Sequence, residues 1–306
     1  MLLSARQHRI SFPRRPLVMG IVNLNDDSFC GDGTLDVALA LDQAALMLRD
    51  GADIIDIGAE SARTNRGPIS IDEEIRRLRA FVEQWPRQSA RGETQSAKGK
   101  AQSDDSDALR HAPCAMLSVN TWRSEVVKEI LPLGGDILND LSALPDARNA
   151  ELCAQHGAAL VIMHSIGLPK VPHTRVRYDD IMDSLDVFFE KKMALARTAG
   201  LNEEQIILDP GIDFAKQRDD NLRVYRELDR LHRFGRPILL PVSRKTVIGE
   251  VCGLENPLDR DAGTIACIAA GLRRGAQIFR VHHVAAAAQA VTTLWNLQEF
   301  HANHAA

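Results

Sequence analysis

No stretch of this sequence is apolar for long enough to cross a bilayer. The N-terminus, MLLSARQHRISFPRRP, also lacks an apolar core of the length that a secretory leader needs. Aromatic residues are sparse at 5%, and neither sign of charge dominates, since 37 Lys and Arg face 41 Asp and Glu for a net charge of −4. Without a basic excess there is no electrostatic footprint of a nucleic-acid or membrane-surface binder, which leaves small molecules as the favoured partners. Cysteine is scarce as well. Cys30, Cys114, Cys153, Cys252 and Cys267 form no C-x-x-C pair, so they offer neither a zinc site nor a disulfide framework. Reduced thiols fit a cytoplasmic location. Repeats of fixed period are not evident, and no G-x-G-x-x-G follows the first apolar run.

What the chain does have is a rhythm. Short apolar runs at 17–22, 53–57, 115–119, 136–138, 159–163, 206–208, 238–240 and 278–281 alternate with helical patterns, the signature of parallel βα units. In DVALALDQAALMLRD the apolar positions Val37, Leu41, Ala44, Ala45 and Leu48 step at helical spacing. The next helix opens on Ser70 with Glu73 three residues on, a capping-box spacing, and carries Ile75, Leu78, Val82 and Trp85 on one face. About eight such units predict a single-domain (β/α)8 TIM barrel over 16–300, preceded by an N-terminal extension at 1–15. A doubly wound open sheet is the competing architecture. It would concentrate polar strand ends at one crevice, whereas here they are spread over the full length. Residues 86–113, rich in Ser, Gln, Gly and mixed charge, read as a disordered insertion on the barrel face opposite the strand C-termini.

The segment IILDPGIDFAK at 206–216 locates the site. An apolar run ends in Asp209, and Pro210 and Gly211 then turn the chain away, leaving one carboxylate at a strand's C-terminal mouth. Polar residues follow the other strands too, at Asn23, Asn120, Asn139, Ser243, Lys245, Arg280 and His282. Barrel enzymes assemble their chemistry on that rim. A carboxylate there can accept two parallel N–H donors from a flat heterocycle, with the amide of Asn139 expected beside it at a neighbouring mouth. Guanidinium groups at the same rim match the oxygens of a diphosphate.

The strings MGIVNLNDDSFCGDG, IIDIGAESARTNRG, SVNT, LND, IMH, LDPGIDFAK, SRK and RVH occur in order and at strand ends. Together they resemble the dihydropteroate synthase family, the folate-pathway branch of the pterin-binding barrels, over about 16–295. The resemblance implies condensation of 6-hydroxymethyl-7,8-dihydropterin diphosphate with p-aminobenzoate to give 7,8-dihydropteroate and pyrophosphate. It further implies Mg2+ as cofactor, with Asn23 as its protein ligand, and a homodimer. By resemblance Arg63, Arg280 and His282 bind the departing diphosphate. Asp209, Asn139, Asn120, Met163, Ser243 and Lys245 form the pterin side, and Phe214 with the second loop (61–67) walls the aminobenzoate. Arg63, Lys245, Arg280 and His282 are the implied catalytic set. Gly31 and Gly33 give the first loop freedom to close.

Several positions depart from the family string. Asn120 stands for an aspartate, Ala62 and Thr64 for a threonine and a proline, and Asp213 and Ala215 for glycines. Pro241 replaces a glycine, His283 an aspartate, Asn25 and Asp26 a threonine and a proline, and Cys30 a serine. A synthase with an altered aminobenzoate pocket is the leading reading. A paralogue using another amine, a non-catalytic pterin binder and a folate-dependent methyltransferase-like protein are the alternatives.

Overall fold

The computed structural model describes residues 1–26, 33–61, 67–85, 115–167, 169–171 and 176–302. Two short strands, β1 (Leu2–Ala5) and β2 (His8–Ser11), form an antiparallel hairpin ahead of the barrel. The barrel strands are β3 (Leu17–Asn23), β4 (Ile54–Gly58), β5 (Met116–Asn120), β6 (Ile137–Asp140), β7 (Ala159–Met163), β8 (Ile206–Asp209), β9 (Leu239–Pro241) and β10 (Ile278–Val281). They form one parallel sheet in the order β8-β7-β6-β5-β4-β3-β10-β9, and a bridge between Leu208 and Ile238 closes it into a cylinder. The expected (β/α)8 barrel is what the chain adopts. Pro241 limits β9: with no N–H to donate, it ends the ladder after three residues.

The helices between strands are α1 (Val37–Arg49), α2 (Ile71–Val82), α3 (Ser124–Ile130), α4 (Arg148–His156), α5 (Ile181–Thr198), α6 (Arg218–Arg226), α7 (Thr246–Cys252), α8 (Asp261–Arg273) and α9 (Val284–Ala302). Their starts follow local side-chain chemistry. Asp36 accepts from the Ala38 amide at 2.8 Å to open α1, and Ser70 accepts from the Glu73 amide at 3.1 Å to open α2. The Glu73 carboxylate completes no reciprocal capping box; it turns instead to Arg76 and Arg77, whose hydrogen bonds hold its pKa down to about 2. Helix α1 presses Ala40, Ala44 and Ala45 into the wall. Gly20 of β3 permits this approach, since a Cβ there would lie 2.8 Å from Met47 Sδ.

The N-terminal hairpin is an integral part of the barrel. Leu3, Ala5, Ile10 and Phe12 are buried with Leu17, Met19, Ile54, Met116, Ile137, Val161, Ile207, Leu239 and Ile278, one residue from most strands, and so close the end where the strands begin. Burying side chains the size of Leu3, Ile10 and Phe12 stabilises by about 1.5–3 kcal/mol each, a large contribution from so short a segment. Arg6, at the hairpin turn, fastens it by donating to the Gly135 carbonyl at 2.5 Å and to that of Leu131. The predicted insertion at 86–113 lies outside the described residues. Its flanks, Trp85 after α2 and Ala115 before β5, place it between a helix end and a strand start.

Candidate active site at the C-terminal rim

Register fixes the layers of the rim. Asn23 pairs with Gly58, Gly58 with Asn120 and Asn120 with Asn139, so four adjacent strands end at one level. Asp209 pairs with Met163. Asn139 and Asp209 are therefore not at neighbouring mouths, because β7 lies between the strands that carry them and places buried Met163 there. The order of the apolar runs already set 159–163 between them; the expectation of neighbouring mouths passed over that run because β7 ends without a charged residue.

One layer below this level sits the residue that organises the rim, Asp56 of β4. It is fully buried, and its carboxylate accepts from Ser118 Oγ at 2.6 Å, Asn120 Nδ2 at 3.2 Å, Asn139 Nδ2 at 3.1 Å and Arg280 Nε at 2.7 Å. These four donors come from β5, β6 and β10, so a single acid ties four strands of the wall. Each asparagine turns its amide nitrogen toward it, and this sets where the side-chain oxygen lies. The buried carbonyl oxygens of Asn120 and Asn139 have no protein partner among the described residues. Buried acceptors without donors are costly unless a ligand supplies the hydrogen, and two at adjacent strand ends make a ready reader of N–H groups. At Asn120 the amide donates to Asp56, which an ionised carboxylate there could not do.

Asp209 is 2% exposed and accepts from the Gly211 amide at 2.7 Å. Burial pushes its pKa up to about 6, and that amide together with Lys245, Lys216 and Arg280 restrains the rise. The chain after it curls through three left-handed residues, Gly211 (φ 67°), Asp213 (φ 68°) and Ala215 (φ 50°). Left-handed backbone costs a residue with a Cβ about 1–2 kcal/mol. At Asp213 capping offsets that cost: its carboxylate accepts from the Thr246 amide at 2.5 Å and the Val247 amide at 3.3 Å, closing the start of α7, while its own amide donates to Asn221 Oδ1 at 2.8 Å. At Ala215 the carbonyl accepts from Tyr178 Oη at 2.9 Å. Lys245 reaches across to the same loop, donating to the Ile212 carbonyl at 2.8 Å with its ammonium 5.1 Å from the Phe214 ring centroid. Burial lowers its pKa, and Asp213 and Asp209 oppose that shift.

Arg280 and His282 stand at the end of β10, partly exposed at the rim. Arg280 is oriented by Asp56, and the ring Nδ1 of His282 lies 2.8 Å from Ser243 Oγ, which also accepts from the His282 amide at 3.2 Å. Ser243 is thus placed as the support of His282. Arg244 turns away and makes a bidentate pair with Asp261 at the start of α8. In the first loop Gly33 serves close approach, since a Cβ there would fall 2.2 Å from the Asn25 carbonyl oxygen. Gly31, Cys30, Ala62, Arg63 and Thr64 lie outside the described residues.

The ends of the second loop rest on a buried ionic network. Glu60 takes Lys170 Nζ at 2.8 Å and the Ile69 amide at 3.1 Å, and Arg123 Nη2 reaches it at 2.5 Å as an ion contact rather than an aligned hydrogen bond. Arg123 also donates to Glu74 at 2.6 Å, Glu74 accepts from Thr121 Oγ1 at 2.6 Å, and Lys170 caps the Gly67 carbonyl at 3.2 Å. Burial raises the Glu74 pKa, opposed by Thr121 and Arg123. Removing one member of such a set strands a buried charge, which costs about 3–5 kcal/mol.

The residues that sequence reading passed over are Asp56, Glu60, Arg123, His164 and Lys216. Asp56 had a signal: an acid inside the apolar run IIDIG has no exposed face to occupy in a barrel wall. Lys216 and His164 lie inside the strings LDPGIDFAK and IMH, but nothing in spacing says that they meet.

Paired donors and acceptors from most strands of a parallel barrel, gathered at the strand C-termini around a buried acid, define an α/β-barrel enzyme site for a small polar heterocycle. Comparison with known proteins narrows this class. The model of the pterin binding enzyme family matches residues 19–92 and 107–282. The dihydropteroate synthase of Synechocystis is 35% identical over 289 residues, 94% of this chain and 92% of that protein. Among solved structures, Yersinia pestis dihydropteroate synthase with a sulfonamide drug superposes with a TM-score of 0.83 at 31% identity, covering 98% of this chain and 100% of that one. The Thermus thermophilus enzyme in complex with 4-aminobenzoate gives 0.78 at 32% identity, covering 97% and 100%. The chain belongs to the pterin-binding enzyme family, on its dihydropteroate synthase branch.

Proposed function

We infer that this chain joins 6-hydroxymethyl-7,8-dihydropterin diphosphate to p-aminobenzoate, giving 7,8-dihydropteroate and pyrophosphate in folate biosynthesis. The observation that carries the reading is the pair of buried amide oxygens of Asn120 and Asn139 that have no donor among the described residues, held at adjacent strand ends by Asp56, on the rim that also bears Asp209. A pterin edge presents N–H groups to such acceptors, and ionised Asp209 accepts two more.

In the reaction the C–O bond between the pterin methylene and the diphosphate breaks and the diphosphate leaves with the electron pair. The amine nitrogen then bonds to the methylene carbon and gives up a proton. No protein nucleophile is needed, so catalysis rests on stabilising the departing charge and on positioning. Arg280 and His282 bind the diphosphate, joined by Arg63 from the second loop. Asp209, Asn139, Asn120 and Met163 hold the ring, with Ser243 fixing His282. Lys245 lies along Phe214, whose face walls the aminobenzoate and keeps water from the cationic carbon.

Magnesium fits this donor set as an ion shared with substrate. Asn23 offers a neutral oxygen at the rim, and among the described residues no group of three His, Cys, Asp or Glu side chains encloses a metal by itself. Mg2+ commonly takes one or two protein oxygens and completes its shell with phosphate oxygens and water. Asn23 would hold the ion, which when bound neutralises part of the diphosphate charge. The active species is a cytoplasmic homodimer associating through barrel helices. The deciding experiment measures pyrophosphate release from the pterin diphosphate with and without p-aminobenzoate and Mg2+. Release that requires both supports the reading; a purified, folded protein that binds the pterin and releases none overturns it.

A further inference from the structure

The loop that follows Asp209 carries a buried cationic side chain that the reaction above does not use. Lys216 is 8% exposed, and its ammonium sits in a cup made by its own loop: it donates to the carbonyls of Gly211 at 3.0 Å and Phe214 at 3.1 Å, and lies 2.8 Å from His164 Nδ1. The His164 carbonyl is a longer contact at 3.4 Å. The left-handed residues of the loop turn these carbonyls inward, and a Cβ at Gly211 would fall 2.0 Å from the His164 carbonyl oxygen, so loop and strand end are in direct contact. His164 is itself fixed. Its amide donates to the Asp209 carbonyl at 2.8 Å, and its ring meets Phe188 edge-on at a centroid distance of 4.8 Å. An ammonium has three hydrogens, and two carbonyls and one unprotonated ring nitrogen use all of them.

We propose that Lys216 is a positioning residue for pterin recognition, its ammonium pinning the 210–216 loop, whose Gly211 amide holds the Asp209 carboxylate, to the end of β7. The proposal rests on the pterin site inferred above. A surface lysine could not do this, and a neutral residue of the same length could do only part of it. Burial pushes Lys216 down to about 7 and Asp209 up to about 6, and each charge restrains the shift of the other. Burial holds His164 neutral, with a pKa of about 2. The other charged groups facing this pair are Lys245 after β9, Arg280 of β10, Asp213 of the same loop and Asp220 of α6. Loss of the Lys216 charge removes a cation from beside Asp209. The carboxyl then protonates at higher pH, and the acid limb of pterin binding moves up.

Calorimetric titration of the full-length protein with 6-hydroxymethyl-7,8-dihydropterin diphosphate from pH 5.5 to 8.5 reads this directly, without turnover. Lys216→Met is expected to weaken pterin binding at pH 7 by about 10- to 100-fold, as loss of a buried charged hydrogen-bonding group implies. The acid limb should move to higher pH, and KM for p-aminobenzoate should change much less. His164→Leu keeps the ammonium but removes its nitrogen acceptor, and should weaken binding by a smaller factor. His164→Asn, whose Oδ1 can replace Nδ1, should restore it. If Lys216→Met does not fold, the two His164 variants decide alone. Wild-type pterin affinity and an unmoved acid limb in folded Lys216→Met, or no difference between His164→Leu and His164→Asn, overturns the proposal. Failure of the wild type to release pyrophosphate would count against the reaction and leave this binding comparison intact.

Discussion

Replacing Asp56 with alanine should be the most damaging single change at the rim that touches no proposed ligand-reading atom. It leaves Ser118 Oγ, Asn120 Nδ2, Asn139 Nδ2 and Arg280 Nε without their acceptor. Each buried donor left unpaired costs about 1–3 kcal/mol. The side chain of Arg280 is 21% exposed and can rehydrate in part, so the expected loss is nearer that for breaking a buried ion pair, about 3–5 kcal/mol. Against a total stability of about 5–15 kcal/mol, that is a large share. Asp56→Asn separates shape from charge. With its oxygen at the Oδ2 position it keeps Asn120, Asn139 and Arg280 as donors, and its amide can donate to Ser118 Oγ. It should therefore cost only about 1–2 kcal/mol, within the range for a charged hydrogen bond made neutral. Both variants release Arg280 from a charged partner, so activity should fall in both, by about 10- to 100-fold for asparagine and more for alanine, given how strongly small displacements of positioning groups affect rate. Urea unfolding gives the stabilities and pyrophosphate release the rates. Asp56→Ala within about 0.5 kcal/mol of wild type, the scatter of ordinary surface substitutions, and with unchanged pterin KM would refute this account of the rim.

Asn120→Asp restores the family residue but sets a carboxylate against Asp56; its folded pKa should exceed its unfolded value, so the stability deficit should be small at pH 4 and grow to about 1–3 kcal/mol by pH 8. Urea midpoints that show no such growth would contradict it. His164, neutral when folded with a pKa of about 2, forgoes a proton that the unfolded chain takes up below about 6.5, so it withdraws about 1.4 kcal/mol of stability per pH unit on acidification. Asp209 acts in the opposite sense between its folded value of about 6 and the unfolded 3.8, so the test is His164→Asn against wild type, with the variant gaining relative stability as pH falls from 6.5 to 5. Parallel pH curves for the two proteins would count against this. Asp213→Ala should lower stability by about 1 kcal/mol through loss of the α7 cap, and Asp213→Asn by less, read as shifts in urea midpoint; equal midpoints for alanine and asparagine would remove the capping explanation.

The barrel was legible because buried parallel strands write themselves as apolar runs, and eight of these fall within a residue or two of the observed strands. Polar residues at their C-terminal ends could be named from the same pattern. What spacing could not supply was depth. Asp56 lies one layer below the rim, and its importance comes from Ser118, Asn120, Asn139 and Arg280, residues up to 224 positions away. Lys216 and His164 are 52 residues apart, and only the curl of the 210–216 loop brings them together. The N-terminal segment read as an extension because four-residue strands carry a weak signal. Its burial depends on a barrel floor assembled from residues throughout the chain.

The cylinder wall is stitched unevenly. Between β8 and β9 it is joined by the Leu208–Ile238 bridge and the hydrogen bond from the Leu208 amide to the Pro237 carbonyl, and Pro241 prevents the ladder from running further. Asp209 stands on one lip of this seam, and Ser243 and Lys245 follow the other. A wall gives first where it has fewest stitches, so the two halves of the binding rim can spread or tighten along this line with little loss of backbone pairing. Amide hydrogen exchange should find β8 and β9 less protected than β3 and β4, which makes the join a mechanical boundary across the mouth of the site.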